Sequence, residues 1–334
     1  MTGPKSRILL KAMGITAAFA ASFGAFAYAS ADMLLKIAFD RRLPAILKRN
    51  FSKISGTADR RSKESLKKTA SKKLKQAEHE NVSVVSFDKT KLEGHYFPAE
   101  NAERLIIAFH GWRSSWNYEF GQFSDFFSRN GCSVLYAEQR GQGNSEGNFM
   151  SLGILERYDC RAWAGWAKGR FGSMPVYLFG ISMGAAAVLM SADILPFGSV
   201  RGIIADSGYA SVHGILEHVI KNNLHLSYTL RKDIADRICK RKMNIRLEDG
   251  CVKNSLENTE IPILFIHGLD DKFVPVEMTY ENYKNCKSLK RLLIIPGAGH
   301  AASYSADREK YENAVRVFWK EFDKKETFKS EFEF

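Results

Sequence analysis

The chain has 334 residues, of which 45% are hydrophobic and 26% charged, and its formal net charge is +12. This length and apolar content suit one large α/β domain with appendages, and they exclude both a disordered chain and a disulfide-stapled miniature. Its five cysteines (Cys132, Cys160, Cys239, Cys251 and Cys286) are odd in number and widely spaced with no Cys-x-x-Cys, so they form neither a disulfide framework nor a zinc ribbon and read as inert thiols.

Residues 1–11 are a basic tail carrying Lys5, Arg7 and Lys11. Residues 12–31 carry no charge, and the apolar character continues through Met33-Leu34-Leu35 and Ile37-Ala38-Phe39. The stretch 12–39 therefore reads as a single membrane-spanning anchor. A signal peptide is the alternative, because Ala29-Ser30-Ala31 offers a small-x-small cleavage site. A helix buried in a soluble domain is a third reading, weakened by the distance in sequence from the folded core. Lys36, Arg41, Arg42, Lys48 and Arg49 outnumber the positive charges before the segment. The positive-inside rule then puts the downstream domain in the cytoplasm, whereas a signal peptide puts it outside. Residues 40–80 read as a basic linker with no apolar face and no share in the core. Its charge beside a hydrophobic segment implies an anionic membrane surface as a partner, and plain solubility charge is the simpler alternative. No nucleic-acid fold signature accompanies the charge, so no nucleic-acid partner is expected.

The folded domain is placed at 81–334. Residues 82–87 alternate like a strand, and 92–97 read as the hairpin partner. Short apolar runs follow at Leu105–Phe109, Ser133–Ala137, Val176–Phe179, Gly202–Ala205, Ile263–Ile266 and Leu292–Ile295. Helical segments lie between them at about 117–129, 153–170, 183–193, 277–286 and 307–323. Alternating buried strand and helix predicts an α/β fold with a mostly parallel sheet covered on both faces. The longest gap, 208–260, mixes apolar residues with a basic cluster from Arg231 to Arg246 and reads as a helical cap over the sheet's C-terminal edge.

One five-residue stretch organises the domain: Gly180-Ile181-Ser182-Met183-Gly184, between a strand run and a small-residue helical run. A serine on such a turn is held in a strained conformation with its hydroxyl clear of the sheet, which makes Ser182 the expected nucleophile. Serine needs a base, and the base needs an acid to orient it. His300 follows the last strand run in a glycine loop and is the expected base. His110 and His267 also end strands, but each is followed by glycine and reads as turn architecture. Asp271 follows the preceding strand and is the expected acid, with Asp270 and Asp206 as alternatives. Backbone N–H groups of Met183 and Trp112 are assigned to the oxyanion hole. No metal and no organic cofactor are required by this chemistry.

The order Ser182, Asp271, His300, with His110-Gly111 upstream, resembles the α/β-hydrolase superfamily over residues 82–323. Glu138-Gln139-Arg140-Gly141-Gln142-Gly143-Asn144-Ser145 is similar to that family's Asp-x-Arg-Gly-x-Gly-x-Ser turn, with Glu138 where Asp is usual. The tail from Gly299 to Tyr304, with Asp307-Arg308 and Tyr311, resembles bacterial hydrolases that have one N-terminal membrane segment and mostly undefined substrates. The resemblance implies an eight-stranded sheet and a serine hydrolase, carboxylesterase-like, acting on an ester, thioester or amide. The cap's aromatic and aliphatic residues point to a small-molecule or lipid-like acyl substrate. Rival readings are an acyltransferase or serine peptidase on the same triad, and a non-catalytic binding protein on this fold.

Overall fold

A computed structural model describes residues 24–42 and 61–323, apart from residues 223 and 230. Its centre is one sheet of eight strands: β1 (Glu80–Val85), β2 (Lys91–Phe97), β3 (Arg104–Phe109), β4 (Cys132–Ala137), β5 (Val176–Ile181), β6 (Gly202–Asp206), β7 (Ile263–Gly268) and β8 (Lys290–Ile295). Their order is β1-β2-β4-β3-β5-β6-β7-β8. Only β2 runs against its neighbours, and every other pair is parallel. Strands β3 to β7 are buried along their whole length. Their unbroken apolar runs call for this, because a strand covered on both faces has no solvent side to receive polar residues. The edge strands β1 and β8 keep exposed positions.

The helices are α1 (24–39), α2 (Arg61–Gln76), α3 (Trp116–Phe120), α4 (Ser124–Arg129), α5 (Glu156–Phe171), α6 (Met183–Ser191), α7 (Val212–Asn222), α8 (Lys232–Met243), α9 (Val252–Glu257), α10 (Val276–Asn285), α11 (Ser303–Ala306) and α12 (Arg308–Phe322). One core lies between the sheet and α1, α5, α6 and the 208–260 segment. The other lies between the sheet and α2, α3, α4, α11 and α12. The mostly parallel eight-stranded sheet and its two helical layers match the expected architecture, and α7, α8 and α9 fall inside the stretch read as a cap.

Of two expectations about the N-terminal region, the membrane anchor falls in part outside the described residues and the linker is corrected. No helix among the described residues is long and apolar enough to cross a membrane. Residues 12–23 of the expected anchor lie outside the described residues, as do the tail 1–11 and residues 43–60. The described part, α1, packs on the domain instead, with Ala27, Ala31, Leu35 and Phe39 buried at four-residue intervals. That spacing is one stripe of a helix. The last four carbonyls of a helix have no partner within it, and here the domain supplies three of the four. The Arg113 guanidinium donates to the Ile37 carbonyl at 2.8 Å, the Trp112 indole to Ala38 at 2.8 Å, and the Met150 N–H to Phe39 at 2.7 Å. The Asp40 N–H closes onto the Lys36 carbonyl at 3.1 Å. Just beyond, Arg41 donates to the carbonyls of Ser145, Gly147 and Gly143 in the turn that follows β4. Ala29-Ser30-Ala31, read as a cleavage site, lies inside this helix with Ala31 buried.

The correction concerns α2, which the sequence reading leaves in a solvated linker. Leu74 and Ser71 are buried in the structure, and Asn117 donates to the Ser71 hydroxyl at 2.8 Å. Lys67 pairs with Glu119 at 3.2 Å and Lys73 with Asp125 at 3.1 Å. The helix expected over 117–129 breaks into α3, a 3-10 turn at Gly121–Phe123, and α4. A Cβ on Gly121 would stand 2.7 Å from the Ala70 carbonyl carbon, so the backbones touch where α2 crosses.

Candidate active site

β5 runs directly into α6 with Ser182 as the joint. Ser182 has φ 56° and ψ −116°, a region that costs a side-chain-bearing residue of order 1–3 kcal/mol. The surroundings hold it there: its N–H donates to the Asp206 carbonyl at 2.8 Å, and its carbonyl accepts from Ala186 at 3.0 Å. The flanking glycines answer to close backbone approach. A Cβ on Gly184 would collide with the Phe109 carbonyl, and one on Gly180 with the Gly184 carbonyl.

The structure brings Ser182, His300 and Asp271 together. His300 Nε2 lies 2.9 Å from the Ser182 hydroxyl, and Nδ1 lies 2.7 Å from Asp271 Oδ2. The carboxylate's other oxygen, Oδ1, accepts the N–H groups of Phe273 and Val274, both at 2.9 Å. Two backbone bonds join the acid loop to the base loop: the Leu269 N–H donates to Ile295 and the Asp270 N–H to Ala298, each at 2.9 Å. The Phe273 ring packs on His300 with centroids 4.9 Å apart.

Electrostatics follow from this geometry. Burial alone raises the Asp271 carboxyl, but the imidazoles of His300 and His267 outweigh it and hold the group well below the usual carboxylate range. Burial lowers the His300 imidazole, and the Asp271 carboxylate outweighs that, so His300 is raised above its ordinary value. The Asp271 side chain is wholly enclosed, whereas His300 keeps 21% of its side chain accessible, which lets the ring reach an incoming group.

The alternative acids do not reach the imidazole. Asp270 is exposed. Asp206 is buried and engaged elsewhere, accepting from Ser207, Ser303 and Tyr311. His267, read as turn architecture, turns out to be part of the constellation. Its side chain is fully buried, its Nε2 lies 3.2 Å from Asp271 Oδ2 and 2.9 Å from the Val274 carbonyl, and its Nδ1 meets Thr279 at 2.7 Å. The four-residue spacing from His267 to Asp271 across a tight turn was the available signal.

Met183 and Trp112, the assigned oxyanion donors, line the same pocket as Ser182. Met183 is the first residue of α6, so its N–H has no partner within the helix. The Glu138–Ser145 turn is structural. The Ser145 hydroxyl donates to the Glu138 carbonyl at 2.6 Å, the Glu138 carboxylate accepts from Asn144, and Arg140 pairs with Asp159 at 2.6 Å and Asp88 at 2.7 Å. Among the described residues no group of three His, Cys, Asp or Glu side chains is arranged to hold a metal. Four of the five cysteines are buried, and all five are free.

Comparison with known proteins agrees with this fold. A family model described as serine aminopeptidase, S33, matches residues 100–214. An esterase from Pyrococcus furiosus, Pf2001, superposes with a TM-score of 0.60 at 23% identity, covering 73% of this chain and 91% of that one. Est1E of Butyrivibrio proteoclasticus, solved with ferulic acid bound, gives a TM-score of 0.54 at 19% identity, covering 73% and 100%. Among curated relatives, YfhR of Escherichia coli is 28% identical over 68% of this chain and 75% of its own length, and is described as uncharacterized. YNL320W of Saccharomyces cerevisiae, described as an uncharacterized membrane protein, is 24% identical over 72% and 79%. The chain therefore has the α/β-hydrolase fold.

Proposed function

We propose that the protein is a serine hydrolase of the carboxylesterase type, cleaving an ester, thioester or amide through an acyl-enzyme. The observation that carries the reading is the unbroken chain of contacts from the Ser182 hydroxyl through His300 to the Asp271 carboxylate. His300 Nε2 takes the Ser182 proton as the hydroxyl oxygen bonds to the substrate carbonyl carbon. The carbonyl oxygen becomes an anion beside the N–H groups of Met183 and Trp112. Collapse expels the alcohol, thiol or amine, which leaves with the proton held by His300. Water, deprotonated by the same imidazole, then releases the acid and restores Ser182. Asp271 keeps the Nδ1 proton in place, and the partly buried imidazolium formed in each step is stabilised by that carboxylate.

The matched family model carries a peptidase description, so cleavage of peptides from a free amino end is the second reading. Such a substrate brings an ammonium group that needs an anionic partner. Among the described residues no carboxylate lines the pocket around Ser182, and the one charged lining residue is the cation Arg231. This favours the esterase. The test is labelling with a fluorophosphonate probe: it should occur in the wild type, vanish in Ser182→Ala and fall strongly in His300→Ala. Hydrolysis run with competing alcohol and amine acceptors separates transfer to water from acyl transfer. An unlabelled wild-type protein sinks the catalytic reading.

A further inference from the structure

The pocket that opens on Ser182 is built by two segments far apart in sequence. From one side come Ala31, Leu34, Leu35, Ile37 and Ala38 of α1. Facing them are Ile215, Leu216, Val219 and Ile220 of α7. The two sides are tied together. The Arg231 guanidinium donates to the Ser30 hydroxyl at 2.9 Å and to the Ser227 carbonyl at 2.6 Å, and Lys242 pairs with Asp32. At its other end α1 hangs from the Trp112 indole, which belongs to the loop carrying an assigned oxyanion donor. Thus α1 is fastened both to the 208–260 segment and to the loop beside the nucleophile.

The wall's chemistry narrows what can lie there. Its polar tips already have protein partners. The Tyr209 hydroxyl donates to the Leu152 carbonyl at 2.8 Å, the Tyr228 hydroxyl meets His213 Nδ1 at 2.7 Å, the Trp112 indole meets Ala38, and Arg231 meets Ser30 and Ser227. A sugar or a polar peptide side chain entering this space would bury hydroxyls or amides without return bonds. An aliphatic chain loses nothing. The cavity measures about 90 Å³, room for roughly six to nine water-sized spheres. A methylene group is of similar size, so the space suits a slender chain of medium length.

We propose that α1 is part of the substrate site, forming with α7 a slot for a linear saturated acyl chain of about six to nine carbons, whose carbonyl end lies at Ser182. The proposal rests on the hydrolase reading for the direction of the chain. It goes beyond that reading in making the N-terminal helix a specificity-determining element. Each methylene buried in such a slot is worth about fourfold in affinity.

The experiment uses the full chain and three substitutions on α1. Leu34→Trp fills the slot, Leu34→Ala widens it, and Met33→Trp puts the same bulk on the exposed side of the helix, where Met33 keeps 46% of its surface open. Hydrolysis of p-nitrophenyl acetate, octanoate and palmitate is measured for each. The wild type should prefer octanoate to both others by tenfold or more in kcat/KM. Leu34→Trp should lower octanoate at least tenfold while acetate stays within threefold. Leu34→Ala should move the preference toward longer chains, and Met33→Trp should match the wild type. In parallel, octanoate binding to Ser182→Ala is measured by calorimetry, with and without Leu34→Trp. If no ester is turned over but octanoate binds and Leu34→Trp weakens it at least tenfold, the slot stands and the hydrolase reading falls. An octanoate-to-acetate ratio unchanged in both Leu34 variants overturns the proposal, as does octanoate binding that Leu34→Trp leaves intact.

Discussion

Replacing Asp271 by Asn tests the constellation at its most constrained point. The carboxylate's Oδ1 accepts two backbone N–H groups, from Phe273 and Val274, and Oδ2 faces His300 Nδ1 at 2.7 Å. An asparagine must keep its oxygen on the two N–H groups, because turning the amide would set donor against donor twice. Its NH2 group is therefore forced toward His300 Nδ1. The imidazole answers by moving its proton to Nε2, which then points a hydrogen at the Ser182 hydroxyl and can no longer accept one. The base is lost although every side chain remains in place. The expected fall in kcat is about 10⁴-fold, or roughly 5 kcal/mol of barrier. The assay is hydrolysis of p-nitrophenyl butyrate from pH 5 to 10, with a thermal melt to confirm folding. Asp270→Asn, on an exposed side chain, should stay within twofold of the wild type. A loss under tenfold in folded Asp271→Asn, or an equal loss in Asp270→Asn, refutes the assignment of the acid.

Three further outcomes follow from the same contacts. Wild-type kcat/KM should rise with pH through a limb above 6.5, because only the neutral imidazole can take the serine proton and the Asp271 carboxylate overrides burial to raise His300; a limb below pH 6 contradicts this. Gly184→Ala puts a Cβ against the Phe109 carbonyl, which should cost about 1–3 kcal/mol or more and lower the melting temperature by at least about 2 °C; an unchanged melt would show that the elbow can relax. Lys67→Met should destabilise the fold by about 1–3 kcal/mol near neutral pH. Burial pushes the Glu119 carboxyl up, and Lys67 with its other partners holds it below the ordinary carboxylate range. A depressed carboxyl stabilises the fold above its unfolded pKa and loses that contribution as pH falls. The deficit of Lys67→Met should therefore shrink toward pH 4, and a deficit constant down to that pH counts against the pair.

The sheet and the three aligned side chains were legible in the sequence because each leaves a local trace. Buried parallel strands are apolar without interruption, as in β3 to β7, so their positions can be read before any partner is known. Ser182 announces itself through two glycines that backbone contact demands. His300 and Asp271 sit just past strand ends, where loops gather on one rim of the sheet. His267 was missed because its role exists only in three dimensions. A histidine ending a strand before glycine reads the same whether its ring faces solvent or, as here, is sealed against the acid. The helix α2 was missed for a different reason. It docks through ion pairs, backbone contact at Gly121 and the buried side chain of Leu74, and together these leave no apolar stripe.

The N-terminal helix shows how one composition can answer to two solvents. A membrane-spanning helix and a helix laid over an apolar pocket both need a long uncharged face, and Ala, Phe, Leu and Met serve either. Hydropathy therefore could not choose between them. What holds the end of the described residues 24–39 against the domain is polar and lies elsewhere in the chain. Trp112 and Arg113 follow the His110-Gly111 turn carrying an indole N–H and a guanidinium, and those donors reach the carbonyls of Ala38 and Ile37. A spanning helix surrounded by hydrocarbon gives its end carbonyls to water or headgroups at the interface. Here three of the final four are taken by side-chain or backbone donors of the domain, so the end of α1 is fixed next to the nucleophile. The apolar residues of α1 are then wall as well as packing, with Ala31 and Leu35 both buried in the core and lining the space in front of Ser182. The space in front of Ser182 is thus lined by a helix whose last residue, Phe39, lies some forty residues before the first strand.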